Sequence, residues 1–517
     1  MTRSRPRTWL LRLAAALTAV TVAAGCSSAV DQAKQASGAA GGTLVVGTLS
    51  DLTPSAIYSQ STTSMTIGRL LYDTLIRYDR ATGTPQPAVA KSWTVSPDGR
   101  TVTLALRDDV KFHNGRPLTS EDVAYSLKTY ASAAAASQLR PAAAAVTAVD
   151  TADPHVAVLH LAHPLVNLFD LLEFVLLTDR ETPDQLKAGE QFIGTGPFKF
   201  AGWQRGQQVR LVRNDDYWNG APKVEEVDLK VIPDETALLN SVRSGQTNVV
   251  VDASVQALTP FRGNDAYTVE PENIWDVNYY IGANVTDPAL SHRAVRQAIA
   301  YAVDRERILH EVFGDTGSVN SAPWSPDSPA YNQELATRYT RDLTKARDLL
   351  TEAGGAPAQP LRLSYNTALA PAKSVAAIVQ NNLADIGIKV ELEPLDGAAL
   401  TQTLNSGRSQ LWINPHGFGQ NSPATLATGA APFKPEGNLS GYRSADYAAL
   451  VERVWEQPDP DSAAAHAAYD AYTQLLSDEQ FVINLVSTTV TNVYTGSVRG
   501  VDWNTYKYLI LDKATVK

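Results

Sequence analysis

Two strand–helix–strand units, more than a hundred residues apart, constrain this chain more than any other feature. In the first, Val224–Ile232 alternates Val227, Leu229 and Val231. Asp234 then stands at the cap of a helix reaching Arg243, Gly245 stops it, and Thr247–Val251 returns as a strand. In the second, Leu361–Asn366 reads as a strand and Pro371–Ile386 as a helix with Val375, Val379, Leu383 and Ile386 on one face. Gly387 is its stop, and Ile388–Leu395 is again a strand. Strand–helix–strand at this spacing implies parallel pairing through a right-handed crossover. A chain of 517 residues also exceeds what one core organises and favours about three domains. Two α/β lobes are the economical reading, and no repeat of fixed period appears.

The segments around these units are also readable. Thr43–Thr48 is a short apolar strand, and a helix is expected around Met65–Leu75. Trp93 and Val95 alternate before the turn Pro97-Asp98-Gly99, with Val102, Leu104 and Leu106 after it, which describes a hairpin. Thr119 or Ser120 caps a helix to about Tyr130. The alanine-rich stretch 131–149 is expected to be a surface helix or loop. Ser291–Phe313 has core spacing throughout, with Asp304 placed to restart the helix midway. Proline and glycine are dense over 314–330 and 415–441, and loops of that length are often functional.

The N-terminus does not belong to the fold. Arg3, Arg5, Arg7 and Arg12 precede an apolar run, Leu13 to Ala24, and then Gly25-Cys26-Ser27-Ser28. A basic head, a short apolar stretch and small residues describe a secretory signal over 1–25. Cys26, the sole cysteine, follows Ala23-Ala24-Gly25 as in a bacterial lipobox, so it is expected to be lipidated and to begin the mature chain. Residues 26–42 then form a small, polar, flexible tether. One cysteine excludes an intrachain disulfide framework and a cysteine-based zinc site. With 44 basic residues against 54 acidic ones, the chain has no electrostatic footprint for nucleic acid.

Signatures of catalysis are missing. No His-Glu-x-x-His, Ser-x-x-Lys or Gly-x-Ser-x-Gly occurs. His155, His160 and His163 cluster, but alternation along a strand turns His160 away from the other two, so no metal site is expected there. Gly194-Thr195-Gly196-Pro197 lacks the remaining elements of a phosphate loop and reads as a tight turn entering a strand. No cofactor is expected.

Several phrases carry a resemblance. They include Leu71-Tyr72-Asp73-Thr74-Leu75, Ser96-Pro97-Asp98-Gly99, Val110-Lys111-Phe112-His113-Asn114-Gly115 and Thr119-Ser120-Glu121-Asp122-Val123. Further on come Gly194-Thr195-Gly196-Pro197-Phe198, Arg213-Asn214-Asp215-Asp216-Tyr217-Trp218 and Val295 to Arg305. In this order they resemble the extracytoplasmic solute-binding proteins of ABC importers, family 5, the peptide/nickel type. The resemblance implies a class II periplasmic-binding-protein fold: two α/β lobes joined by a two-stranded hinge, plus an inserted third domain. Lobe I would combine 43–84, 191–272 and 481–517, the insertion would be 85–190, and lobe II would be 273–480. The chain would cross between lobes near Pro271 and near Asp478. Most of the phrases read as turns and packed helix, marking the fold and not a ligand site.

The resemblance also implies ligand contacts after the first strand, just past the hinge, and in a late loop of the second lobe. Here those stretches hold Ser50; Trp275 and Asn278; and Trp412, Asn414, His416, Phe418 and Asn421. Aromatic faces and amides together hold a polar organic solute. Residues 411–422 contain no acid to pair with a peptide's ammonium group. The expected protein is a monomeric, lipid-anchored receptor at the outer face of the cell membrane. It would capture a peptide or similar small solute and deliver it to ABC permease subunits with their ATPases, without being an enzyme. A nickel chelate is the alternative guest. An extracytoplasmic hydrolase, or a sensor or chaperone on the same fold, are the readings of another class.

Overall fold

The computed structural model describes residues 41–517 except 60, 271–276, 418–421, 490, 505 and 507. The expected signal segment, Cys26 and most of the tether lie outside the described residues. The chain enters through β1 (Thr43–Thr48) and a small ribbon of β2 (Ile76–Tyr78) and β3 (Pro85–Pro87). It then builds β4 (Ala90–Val95), β5 (Thr101–Leu106), β6 (Val146–Asp153) and β7 (Val156–Leu161). It returns through β8 (Phe198–Gln204), β9 (Gln208–Arg213), β10 (Glu226–Val231), β11 (Val249–Ala253) and β12 (Tyr267–Glu270). A second body contains β13 (Val277–Ala283), β14 (Ser318–Val319), β15 (Leu361–Asn366), β16 (Val390–Leu395), β17 (Leu411–Gly417) and β18 (Val482–Thr488). The chain finally comes back in β19 (Thr491–Thr495).

These strands form three main sheets. The first has the order β12-β19-β11-β1-β10-β9-β8, the second β14-β18-β13-β17-β15-β16, and the third is the antiparallel β4-β5-β7-β6. In the first, β1 runs parallel to both β10 and β11, so the helix Glu235–Arg243 carries the chain over β1 between them. In the second, β15 and β16 are parallel neighbours joined by the helix Ala370–Ala384. Each unit ends where its glycine permits a left-handed turn, Gly245 at φ +74° and Gly387 at φ +83°. The stretch from Ser291 to Phe313 is two helices, Arg293–Ala302 and Arg305–Phe313, because Asp304 accepts the Arg307 amide and starts the second.

Two expectations are corrected. Residues 481–488 were assigned to the first lobe, yet β18 pairs along its length with β13 in the second sheet. The chain therefore returns after Thr488, not near Asp478; β18 is buried throughout and needs a partner on both sides. The alanine-rich stretch is not surface filler: Ala142 and Ala143 are buried in the third sheet's core, and β6 starts at Val146. Small side chains let a short helix, Arg140–Ala144, lie close to its neighbours.

Three of the family phrases meet at one buried junction. The Asp73 carboxylate accepts hydrogen bonds from Tyr217 Oη (2.8 Å), Trp218 Nε1 (2.8 Å), Thr195 Oγ1 (3.2 Å) and Arg77 (3.1 Å). Gly194 and Gly196 pack on the Leu71 carbonyl so closely that a Cβ at either would overlap it. The turn at Gly194–Pro197 is thus a fastener between elements. The second body also meets the third sheet's helices. Thr425 Oγ1 donates to Asp170 (2.8 Å), and Asn167 receives the Trp455 indole N–H (3.0 Å). At Gly429 a side chain would collide with the Gln138 carbonyl.

Candidate functional site

Parallel strands leave a crevice at their carboxyl ends, where following helices begin. Here the ends of two such sets face one another across a gap of about 380 Å³. The first body contributes Leu49 after β1, Asp234 and Glu235 after β10, and Asp252 and Ser254 at the end of β11. The second contributes Val277 and Tyr279 from β13, Phe313, and Thr367 to Pro371 after β15; Thr488 and Thr489 close the edge where the chain crosses.

The polar groups of this wall are held by the backbone. Asp234 accepts the Ala237 amide as helix cap (2.8 Å), and Glu235 Oε1 accepts the Ser254 amide (2.6 Å). Asp252 sits at φ +63° beside an irregularity in the β11–β19 pairing, and its amide donates to Asn492 Oδ1 (3.0 Å). Burial, reinforced by the nearby Asp252 and Glu235 carboxylates, pushes the Tyr279 phenol up, so it stays neutral.

The expected site residues separate. Ser50 is exposed just past β1, and its carbonyl accepts Thr48 Oγ1 (2.9 Å). Trp275, Phe418 and Asn421 lie outside the described residues. Trp412, expected at the gap, is fully buried near the start of β17 with its indole over Gly282 of β13, where no Cβ could fit. It is a packing residue, because alternation along β17 turns it into the second body's core. Asn414 is half-buried on that same face as the register partner of Tyr280, whose phenol burial pushes up to about 12.

Asn278 and His416 are brought together as direct partners in the β13–β17 register. Both are buried, at 1% and 7% exposure. His416 Nε2 lies 3.0 Å from Asn484 Oδ1, and its ring meets Tyr280 and Phe433 edge-on or tilted. Burial lowers its pKa to about 4, so the imidazole is neutral near pH 7. Among the described residues no cluster of three or more His, Cys, Asp or Glu is placed to hold a metal.

Sequence reasoning missed Asp234, Asp252, Thr367 and Thr488 as wall residues. The signal was available: both strand–helix–strand units were recognised, and the residues between strand end and helix start are where such sheets bind.

Comparison with known proteins agrees with this architecture. Residues 84–436 match the family described as bacterial extracellular solute-binding proteins, family 5. A di/tripeptide-binding protein 2 of Pseudomonas aeruginosa is 28% identical, over 68% of this chain and 72% of its own. The oligopeptide-binding protein AppA of Bacillus subtilis is 27% identical, over 78% and 79%. Among solved structures, the periplasmic binding protein DppA of Helicobacter pylori, in complex with peptide STSA, superposes with a TM-score of 0.81 at 20% identity. It covers 94% of this chain and 99% of its own. NikZ of Campylobacter jejuni, in complex with Ni(L-His), gives 0.79 at 20% identity, covering 90% and 97%. The fold is the class II periplasmic-binding fold, and the chain belongs to family 5 of the bacterial extracellular solute-binding proteins.

Proposed function

We propose that this protein is the lipid-anchored receptor of an ABC importer, capturing a short peptide between its two lobes and handing it unaltered to the permease. The observation that carries this reading is the gap of about 380 Å³ walled by strand ends of both sheets, with Thr488 and Thr489 at its edge where the chain crosses back. Closure over a guest hides it from water and presents a joined surface to a permease, as two-state closure around a ligand does. Cys26 holds the acyl chains, residues 27–42 are the tether, and the body stays outside the bilayer. Peptide-binding relatives support the guest class.

Isothermal titration against a pool of di- to pentapeptides tests the reading, and binding with a raised melting temperature is expected. No heat and no thermal shift from any of them would refute it. Cys26→Ala should shift the protein from the membrane fraction into the medium; unchanged membrane retention would remove the lipid anchor. A second reading rests on His416: its neutral imidazole leaves Nδ1 uncommitted, as a ligand to the metal of a nickel chelate would require. Tight capture of Ni(L-His)₂ with indifference to peptides would favour it.

A further inference from the structure

The second body meets the third sheet's body through contacts that no covalent bond enforces. Asn167 and Asp170 stand at the start of the helix Leu168–Phe174, and both are 1% exposed. Thr425, equally buried in the helix Pro423–Gly429 of the second body, donates to Asp170 Oδ2 (2.8 Å) and accepts from Asn167 Nδ2 (3.1 Å). Trp455, at the end of the helix Ala445–Trp455, donates its indole N–H to Asn167 Oδ1 (3.0 Å), and its carbonyl accepts the Val166 amide (3.3 Å). The His163 ring meets the same indole edge-on, with centroids 4.6 Å apart. Asn167 thus spends its oxygen and its NH₂ on two separate helices of the other body.

This contact is built to come apart. A hydrogen bond across it exchanges for one to water at small net cost, whereas a wide apolar seam would have to be exposed. The other partners of Asp170, Tyr78 Oη (3.0 Å) and Tyr506 Oη (2.8 Å), do not belong to the second body. Opening therefore takes away Thr425 and the second body's cover, and water replaces them. The titratable groups facing Asp170 are Tyr78 from β2, Tyr506 from the C-terminal segment and Tyr469 from the second body's helix Ala463–Glu479. Behind Tyr469 stand the carboxylates Asp459 and Asp461. On Asp170's own helix, Glu173 takes up the Arg69 guanidinium (2.6 Å). Among the described residues no cation is paired with Asp170, so the closed contact surrounds its carboxylate with hydroxyl donors alone.

We propose that the third sheet's body is a proton-sensitive latch on the second lobe: Asn167 and Asp170 grip Thr425 and Trp455 in the closed molecule, and a proton on Asp170 tightens the grip. Burial in the closed contact raises the Asp170 pKa to about 6, against its hydroxyl donors, and rehydration on opening returns it toward the ordinary value near 4. The closed form thus holds a proton that the open form releases. Closure is favoured as pH falls through about 6, and the advantage is lost as pH rises through the same value. This inference rests on the receptor reading above and names a regulation of its closure.

The test titrates the mature protein at pH 5 and at pH 7 with a histidine-free peptide captured from a pool of di- to pentapeptides. Binding should be several-fold tighter at pH 5, up to about tenfold for a carboxyl whose pKa moves from near 4 to about 6. Asp170→Asn keeps the shape and an accepting oxygen but cannot titrate, and should bring the two affinities within twofold of each other. Thr425→Val should weaken binding by about tenfold at pH 7, and Thr425→Ser, which keeps the hydroxyl, should restore it. Equal affinity of the unaltered protein at both pH values overturns the proposal and needs no variant to do so. Asp170→Asn with the parent's full pH ratio also overturns it, and points to His163 at the same contact. So does Thr425→Val that binds within twofold of the parent. If no peptide of the pool binds at either pH, the receptor reading itself fails and takes this inference with it.

Discussion

Asp170 is a buried carboxylate that accepts hydrogen bonds from Tyr506 Oη (2.8 Å), Thr425 Oγ1 (2.8 Å) and Tyr78 Oη (3.0 Å). The neighbouring cation, Arg69, is paired with Glu173 instead (2.6 Å). Burial therefore dominates and raises the Asp170 pKa to about 6, against its three hydroxyl donors. A carboxyl whose pKa is raised on folding contributes its full stability below the unfolded value near 4 and loses it as pH rises through about 6. The cost of the charged form near pH 7 is about 3 kcal/mol. Asp170→Asn should thus shrink the difference in melting temperature between pH 5 and pH 7; an undiminished difference would assign the effect elsewhere. Gly282 makes the opposite kind of demand. It has no side chain because Trp412 occupies that space, so Gly282→Ala should destabilise by about 1–3 kcal/mol through overpacking. Denaturant melts would show a lower midpoint with an unchanged slope.

At the scale of elements, caps and glycine stops made most of the helices legible. Asp234 and Asp304 occupy the cap positions read from their spacing, and each accepts the amide three residues on. Asp304→Ala should cost about 1 kcal/mol and fray the helix Arg305–Phe313, visible as faster amide exchange in its first turn. Asp304→Ser should largely restore protection. Strand β18 was harder to place. Its run Val482–Thr488 reads as a buried strand, but nothing within it says which sheet it joins; the register against β13 decides that. The same limit applied at β17. Trp412, Asn414 and His416 share a face by alternation, yet the Trp412 end packs into the core while His416 lies one rung from the gap.

At the scale of the molecule, the second lobe touches the rest of the protein in two separated places. One is the pair of crossings, after Glu270 and after Thr488, and the other is the contact of the helices Pro423–Gly429 and Ala445–Trp455 with the inserted sheet's helices. The distal contact leaves no room at Gly429, so Gly429→Ala should hold the lobes slightly apart. The expected outcome is a loss of about tenfold in affinity for a captured peptide with little change in the melting temperature of the free protein. A variant that binds as tightly as the parent would show that this contact is not part of closure. What the sequence determined by itself was local: strand–helix–strand order, caps, stops and turns, since hydrophobic period and backbone preference act over a few residues. The tertiary structure alone decided which sheet took β18, which polar side chains faced the gap and which were left unpartnered, because those depend on surfaces brought together from residues hundreds apart.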